Sequence, residues 1–162
     1  MKEIVQATPD MWPLVREIRL RSLSSDPRAF GQTWETESTY EDEVWLTRIE
    51  RAVWYLAIVD ETPVGVVACR HEDDAPENEL ELQAMWVAPD YRNRGLGSKL
   101  VTAVLNWATT QPKADTVTLF VSPTNAGAKE AYLSFGFTDT GDRWVIDEED
   151  PESAWLKLAK TL

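Results

Sequence analysis

The chain has 162 residues, 43% hydrophobic and 27% charged, which suits one soluble domain with a substantial core. Its 16 Lys and Arg against 28 Asp and Glu give a net charge of -12, a field that repels nucleic-acid phosphates and anionic membranes. The longest apolar run, Ala52 to Val59, is far short of the roughly 20 residues that span a bilayer.

The same charge attracts cationic partners and also serves plain solubility, and composition does not choose between the two. Met1 to Thr8 lacks the basic start and long apolar stretch of a signal peptide, so a cytoplasmic location is expected. No repeat or Gly/Ser-rich linker divides the chain, so residues 1–162 read as a single domain.

Glu3 to Gln6 reads as a first strand. A helix is expected from Asp10 to Ser24, with Met11, Leu14, Val15 and Ile18 at helical spacing. Asp10 as its N-cap puts Pro13 in the first turn, where a missing N–H costs little. Asp26-Pro27 ends it. Ala29 to Glu37 reads as irregular and partly exposed. Ser38-Thr-Tyr-Glu41 has the spacing of a capping box and opens a helix to Arg51.

Trp54 to Val59 and Val64 to Arg70 form an antiparallel hairpin around Asp60-Glu-Thr-Pro63. Past an acidic loop, Glu79 to Val87 is a third strand, with Leu80, Leu82 and Ala84 on one face and Glu81, Gln83 and Met85 on the other. Pro89 to Arg94 is a polar loop, and Gly95 opens a helix that runs to Thr110. Thr116 to Val121 is strongly β-prone. A helix over Asn125 to Phe135 stops at Gly136, a natural left-handed cap. Strands Thr138 to Ile146 and Ser153 to Lys160 close the chain, joined by the acidic loop Asp147 to Glu152. This order predicts an α/β domain with a mixed, largely antiparallel sheet in which Glu79–Val87 and Thr116–Val121 run parallel.

One cysteine, Cys69, rules out an intrachain disulfide. Its apolar run reads as a buried strand thiol, although His71 lies two residues on and a reactive thiol stays open. His71 is the sole histidine, so no zinc cluster and no metal cofactor is expected.

The chemistry concentrates in Met85-Trp86-Val87-Ala-Pro-Asp-Tyr-Arg92-Asn93-Arg94-Gly95-Leu96-Gly97-Ser98. A strand, a basic glycine-bearing loop and a helix start favour a bound anion. Helix N-terminal amides lack internal partners, the macrodipole adds positive potential, and glycines let the backbone approach closely. Arg92 and Arg94 supply charge. The P-loop spacing is missing, and the dinucleotide fingerprint fails because position 100 is Leu.

The remaining pattern, Arg92-x-x-Gly95-x-Gly97, resembles the pyrophosphate loop of the GNAT family of N-acetyltransferases. Asn125-x-x-Ala128-x-x-x-Tyr132-x-x-Phe135-Gly136-Phe137 is similar to that family's later helix motif, and Arg19-Leu-Arg-Ser-Leu with Pro27 to Phe30 resembles many members. The likeness covers essentially the whole chain. It implies a GNAT fold whose fourth and fifth strands splay apart, with Pro123 helping to open the gap, and acetyl-CoA as co-substrate.

The resemblance also implies roles. Amides of Met85, Trp86 and Val87 would bond the pantetheine arm. Those of Arg92, Asn93, Arg94, Gly95, Leu96, Gly97 and Ser98 would hold the pyrophosphate. Asn125 would touch pantetheine or position its helix. Lys129 reads as a surface residue or a contact to a CoA phosphate. Tyr132 would protonate the departing thiolate, or be a core aromatic. Glu81 would serve as general base through water, or be a solvated strand carboxylate. Trp34 and Trp54 border the acceptor site or pack the core, and Asp147 to Glu152 draws in a cationic amine or is a solvated loop. A primary amine of a small molecule or peptide would then be acetylated by direct attack. A non-catalytic acyl-CoA sensor is the alternative. A homodimer is compatible with the resemblance.

Overall fold

Strands of two kinds build a seven-stranded sheet in the order β1-β2-β3-β4-β5-β7-β6. They are β1 (Lys2–Gln6), β2 (Val53–Val59), β3 (Thr62–Arg70), β4 (Glu79–Val87), β5 (Thr116–Val121), β6 (Thr138–Trp144) and β7 (Trp155–Thr161). The computed structural model describes residues 2–162, of Lys2 the backbone alone; Met1, which opens the stretch read above for a signal peptide, lies outside the described residues. β2 and β3 are nearly continuous apolar runs, buried almost throughout, as a central strand covered on both faces must be. β6, at the far edge, is exposed along its length, and its Thr, Asp and Arg suit a solvated edge. Every pairing is antiparallel except β4 with β5.

Among the described residues five α-helices accompany the sheet: α1 (Trp12–Ser25), α2 (Trp34–Glu37), α3 (Asp42–Arg51), α4 (Leu96–Ala108) and α5 (Ala126–Ser134). α1 and α4 pack on β3. α4 buries Leu96, Leu100, Val101, Val104 and Ala108, a stripe at helical spacing that anchors it to the central strands. Each large aliphatic chain so buried contributes about 1.5–3 kcal/mol relative to exposure.

The structure departs most clearly from the expected boundaries at the first helix, around Ser38 and at the last two strands. The first helix starts in two steps: a 3-10 turn at Pro9–Met11 precedes α1, so Asp10 lies inside the turn and Met11 is the N-cap of α1. Two prolines cause this, since each sits within the first two residues of its own segment. Ser38 does not open a helix. It closes α2, its hydroxyl donating to the Glu35 carbonyl, and Glu41 is the N-cap of α3 without a side-chain bond. The stretch to Glu37 is accordingly not all irregular: Thr33 caps α2 by accepting from the Thr36 amide, and Glu37 is buried. β6 ends at Trp144, and a 3-10 turn at Pro151–Ser153 precedes β7.

No helix among the described residues is long and apolar enough to cross a membrane.

Candidate active site

The gap that makes a site opens between two parallel strands. β4 and β5 pair only at Glu79–Thr116, Leu80–Val117 and Glu81–Thr118. Beyond Glu81 the β4 edge facing β5 has no ladder partner, while β5 stays paired with β7 up to Val121. The splay is already complete well before Pro123, which stands beyond the end of β5, so this proline does not open the gap.

The cause lies in β4. Val66 of β3 faces Trp86 and Ala68 faces Gln83, so Val67 alone opposes both Ala84 and Met85. Ala84 has φ 57, a left-handed conformation uncommon for a residue with a Cβ. This is a β-bulge, which bends the strand and leaves backbone groups unpaired. The expected alternation therefore holds through Gln83 and breaks at Ala84, after which Trp86 and Val87 are both buried.

The glycine-bearing loop follows. Asn93 and Gly95 both take positive φ, 62 and 80. Gly95 is the N-cap of α4, and Lys99 is the first residue whose amide bonds back, to the Gly95 carbonyl at 3.1 Å. The amides of Leu96, Gly97 and Ser98 thus start the helix without intrahelical acceptors. A Cβ at Gly97 would sit 3.3 Å from Met85 Cε and 3.9 Å from Val87 Cγ2, so this glycine lets the helix start ride against the bulged strand. The loop is exposed at Arg92 to Gly95 and at Ser98. Free donors, positive dipole and open access suit a diphosphate.

The two loop arginines behave differently. The Arg92 guanidinium is held: Nε donates to the Val87 carbonyl at 2.8 Å and Nη2 to Asp26 Oδ2 at 2.9 Å. Arg94 lies over the Tyr91 ring at 5.3 Å.

A cleft of about 940 Å³ occupies the splay. Glu81, Met85, Trp86, Val87, Asn125 and Tyr132 all line it. Tyr132 is buried on α5, edge-on to Phe137 at 5.8 Å, and burial pushes its phenol well above the usual value of 10.0. It is therefore neutral, with a proton to give. Glu81 is half-buried, and its carboxyl lies above the usual 4.5. Burial is the largest cause and Glu72 adds to it; the Gln83 amide, Lys157 and Arg70 act against them. The Gln83 side-chain amide donates to both Glu81 and Glu72. Asn125 is the N-cap of α5, its side-chain oxygen accepting from the Ala128 amide at 3.2 Å, so its carbonyl is spent on positioning the helix that carries Tyr132. Lys129 is half-buried on α5 outside the cleft lining. Trp54 lines the cleft, whereas Trp34 is exposed and does not. Asp147 to Glu152 is exposed.

A family model described as "Acetyltransferase (GNAT) family" matches residues 12–137. The chain belongs to the GNAT acetyltransferase family. It is 28% identical over 121 residues to an uncharacterised N-acetyltransferase of Methanocaldococcus jannaschii, a match covering 73% of this chain and 49% of that one. The chain thus spans about half the length of that relative. It is 29% identical over 127 residues to the probable N-acetyltransferase san of Drosophila melanogaster, covering 76% of this chain and 68% of that one. Its fold matches the crystal structure of a ribosomal-protein-alanine N-acetyltransferase from Brucella melitensis with a TM-score of 0.78, at 20% identity and 99% coverage of both chains.

Within this GNAT domain, sequence reasoning missed two polar constellations. The first is Asp26, whose Oδ2 accepts from Trp86 Nε1 at 2.6 Å as well as from Arg92. Burial alone would raise its pKa; the Trp86 and Arg92 donors outweigh burial and hold the carboxyl below the usual 3.8. The second is a buried triad from three helices. Arg19 on α1 grips Glu37 on α2 with two bonds of 3.1 and 3.0 Å, and Arg48 on α3 donates to the same carboxylate at 2.6 Å. The signal available for the triad was an acidic residue in a stretch read as irregular. For Asp26, no local pattern points to a partner 66 residues away.

Cys69 is fully buried, and burial, with Glu81 nearby, pushes its thiol up to about 12, so it is not a nucleophile. The His71 ring meets the Pro76 carbonyl in the exposed loop. Among the described residues no group of His, Cys, Asp or Glu is placed to hold a metal ion.

Proposed function

We propose that the chain is a single-domain N-acetyltransferase that moves an acetyl group from acetyl-CoA to a primary amine by direct attack. One observation carries this reading: a single cleft in the strand splay is lined by the bulged backbone of Met85 to Val87, by Glu81 and by Tyr132. The family uses acetyl-CoA, and the residues present fit it. Amides from Asn93 to Ser98 supply donors for the diphosphate, and the unpaired edge of β4 beyond Glu81 offers backbone groups to the pantetheine arm.

Each residue has a chemical task. An ammonium has no lone pair, so the acceptor must first lose a proton; Glu81, with its raised pKa, takes it directly or through water. The nitrogen then bonds to the thioester carbonyl carbon. A strand amide near Met85 to Val87 donates to the oxyanion that forms. As the carbon–sulfur bond breaks, the Tyr132 hydroxyl gives its proton to the sulfur; the surplus proton on the nitrogen passes through solvent to the tyrosinate, leaving an amide, free CoA and a neutral Tyr132. Asn125 acts through α5 by fixing Tyr132.

Thiol release from acetyl-CoA across a panel of amines tests the reading. Release that depends on an amine supports it. Tight CoA binding with no release to any amine would instead fit a sensor.

A further inference from the structure

We infer that the acceptor carries a carboxylate close to its reactive amine, received by Arg48 with Arg19 behind it; this rests on the transferase reading above. Two guanidinium groups share the one carboxylate of Glu37, which is 1% exposed, so the triad holds one uncompensated positive charge. A buried surplus cation is costly unless an anion or strong acceptors meet it. The donors are also in surplus: Arg19 Nη1 is buried and has no acceptor among the described residues.

Arg48 is the member a ligand can reach. Its side chain is 26% exposed and, like Arg19, lines the cleft. It is held in place by the Trp45 and Trp54 rings, at 4.8 and 5.6 Å from its guanidinium carbon, and by Trp54 Nε1, which donates to its carbonyl. Such a restrained planar fork suits a carboxylate better than a mobile lysine would.

The rest of the cleft agrees. In a chain of net charge -12, this cavity is lined by Arg19, Arg28, Arg48 and Arg92 with Asp26 and Glu81, and with Glu37 shared by Arg19 and Arg48 these groups still hold a surplus of one positive charge. Asp26 is already occupied by Arg92. A polyamine would bring a second cation to a cationic wall. An amino-acid-like acceptor places its amine toward Glu81 and its carboxylate toward Arg48.

The test uses the intact protein, acetyl-CoA and matched acceptor pairs: L-amino acids and their carboxamides, with amidated peptides and polyamines alongside. Rates are compared at equal free-base amine, because amides are weaker bases. The carboxylate member of the best pair is expected to have a kcat/KM about tenfold or more higher. Arg48→Met should shrink that ratio through acceptor KM, and Arg48→Lys should restore part of it. Carboxamides, amidated peptides or polyamines used as well as carboxylates would overturn the inference while leaving the transferase reading intact. A change in acetyl-CoA KM alone on Arg48→Met would assign Arg48 to the cofactor's phosphates and overturn it too. No transfer to any acceptor, with acetyl-CoA bound, would remove the transferase reading and this inference together.

Discussion

Asp26 and Arg92 are joined by a 2.9 Å bond across 66 residues of sequence, and the same carboxylate oxygen holds the Trp86 indole. Asp26 is the C-cap of α1, at the start of the segment that lines the cleft, and Arg92 opens the glycine-bearing loop. One carboxylate therefore pins the loop to the bulged strand and to the segment after α1 that lines the cleft.

Loosening that clamp should affect the loop first. Asp26→Asn keeps an oxygen but loses the charge, and the contact is partly exposed, so a modest effect is expected. Acetyl-CoA KM should rise by about three- to tenfold with a smaller change in kcat. The pH dependence has a definite sign. The folded pKa lies below 3.8, so the contribution is fully present above that value and is lost as pH falls through the lowered one. Steady-state kinetics in both substrates checks the split.

Tyr132→Phe removes only the hydroxyl and keeps the ring against Phe137. Turnover should fall by about a hundredfold or more, while CoA affinity changes little. Equal losses in both would return Tyr132 to the role of a core aromatic.

Glu81 should set the acidic limb of the rate profile. Its carboxyl is raised above 4.5, chiefly by burial, so it is protonated and inactive at low pH and becomes a base as pH rises through that elevated value. Glu81→Gln should flatten this limb and lower kcat by about a hundredfold. A pH profile of kcat that keeps the same limb in the variant would exclude Glu81 as the base.

Glu37→Ala tests the buried triad as structure. Removing the shared carboxylate strands Arg19 and Arg48 and should cost about 3–5 kcal/mol. Thermal unfolding is expected to move down by about 10 °C. Burial alone would raise the Glu37 pKa, but the two arginines outweigh it and hold it below 4.5. Its stabilisation is therefore present above 4.5 and fades as acid reaches the lowered value.

What the residues disclosed early follows from range. Strand patterning, the left-handed stop at Gly136 and the helix start at Gly95 are local signals, and the parallel β4–β5 pair follows from the crossover through α4; all appear in the fold. Glu81, Met85 to Val87 and Tyr132 were named from the chain and share one cleft. Three features were not legible. The Ala84 bulge breaks an alternation that side-chain pattern alone would continue. Ser38 has a capping-box spacing, yet burying Glu37 forms a short helix that ends there. The partners Asp26–Arg92 and Arg19–Glu37–Arg48 are set by tertiary packing, which no local periodicity encodes.

Main-chain donors between Asn93 and Ser98 are expected to hold a diphosphate. Titrating the 15N-labelled protein with CoA and, separately, with pantetheine tests it most directly. Large, saturable amide shifts are expected at Gly95, Gly97 and Ser98 with CoA and much smaller ones with pantetheine. Unmoved amides in that loop while CoA binds would contradict it.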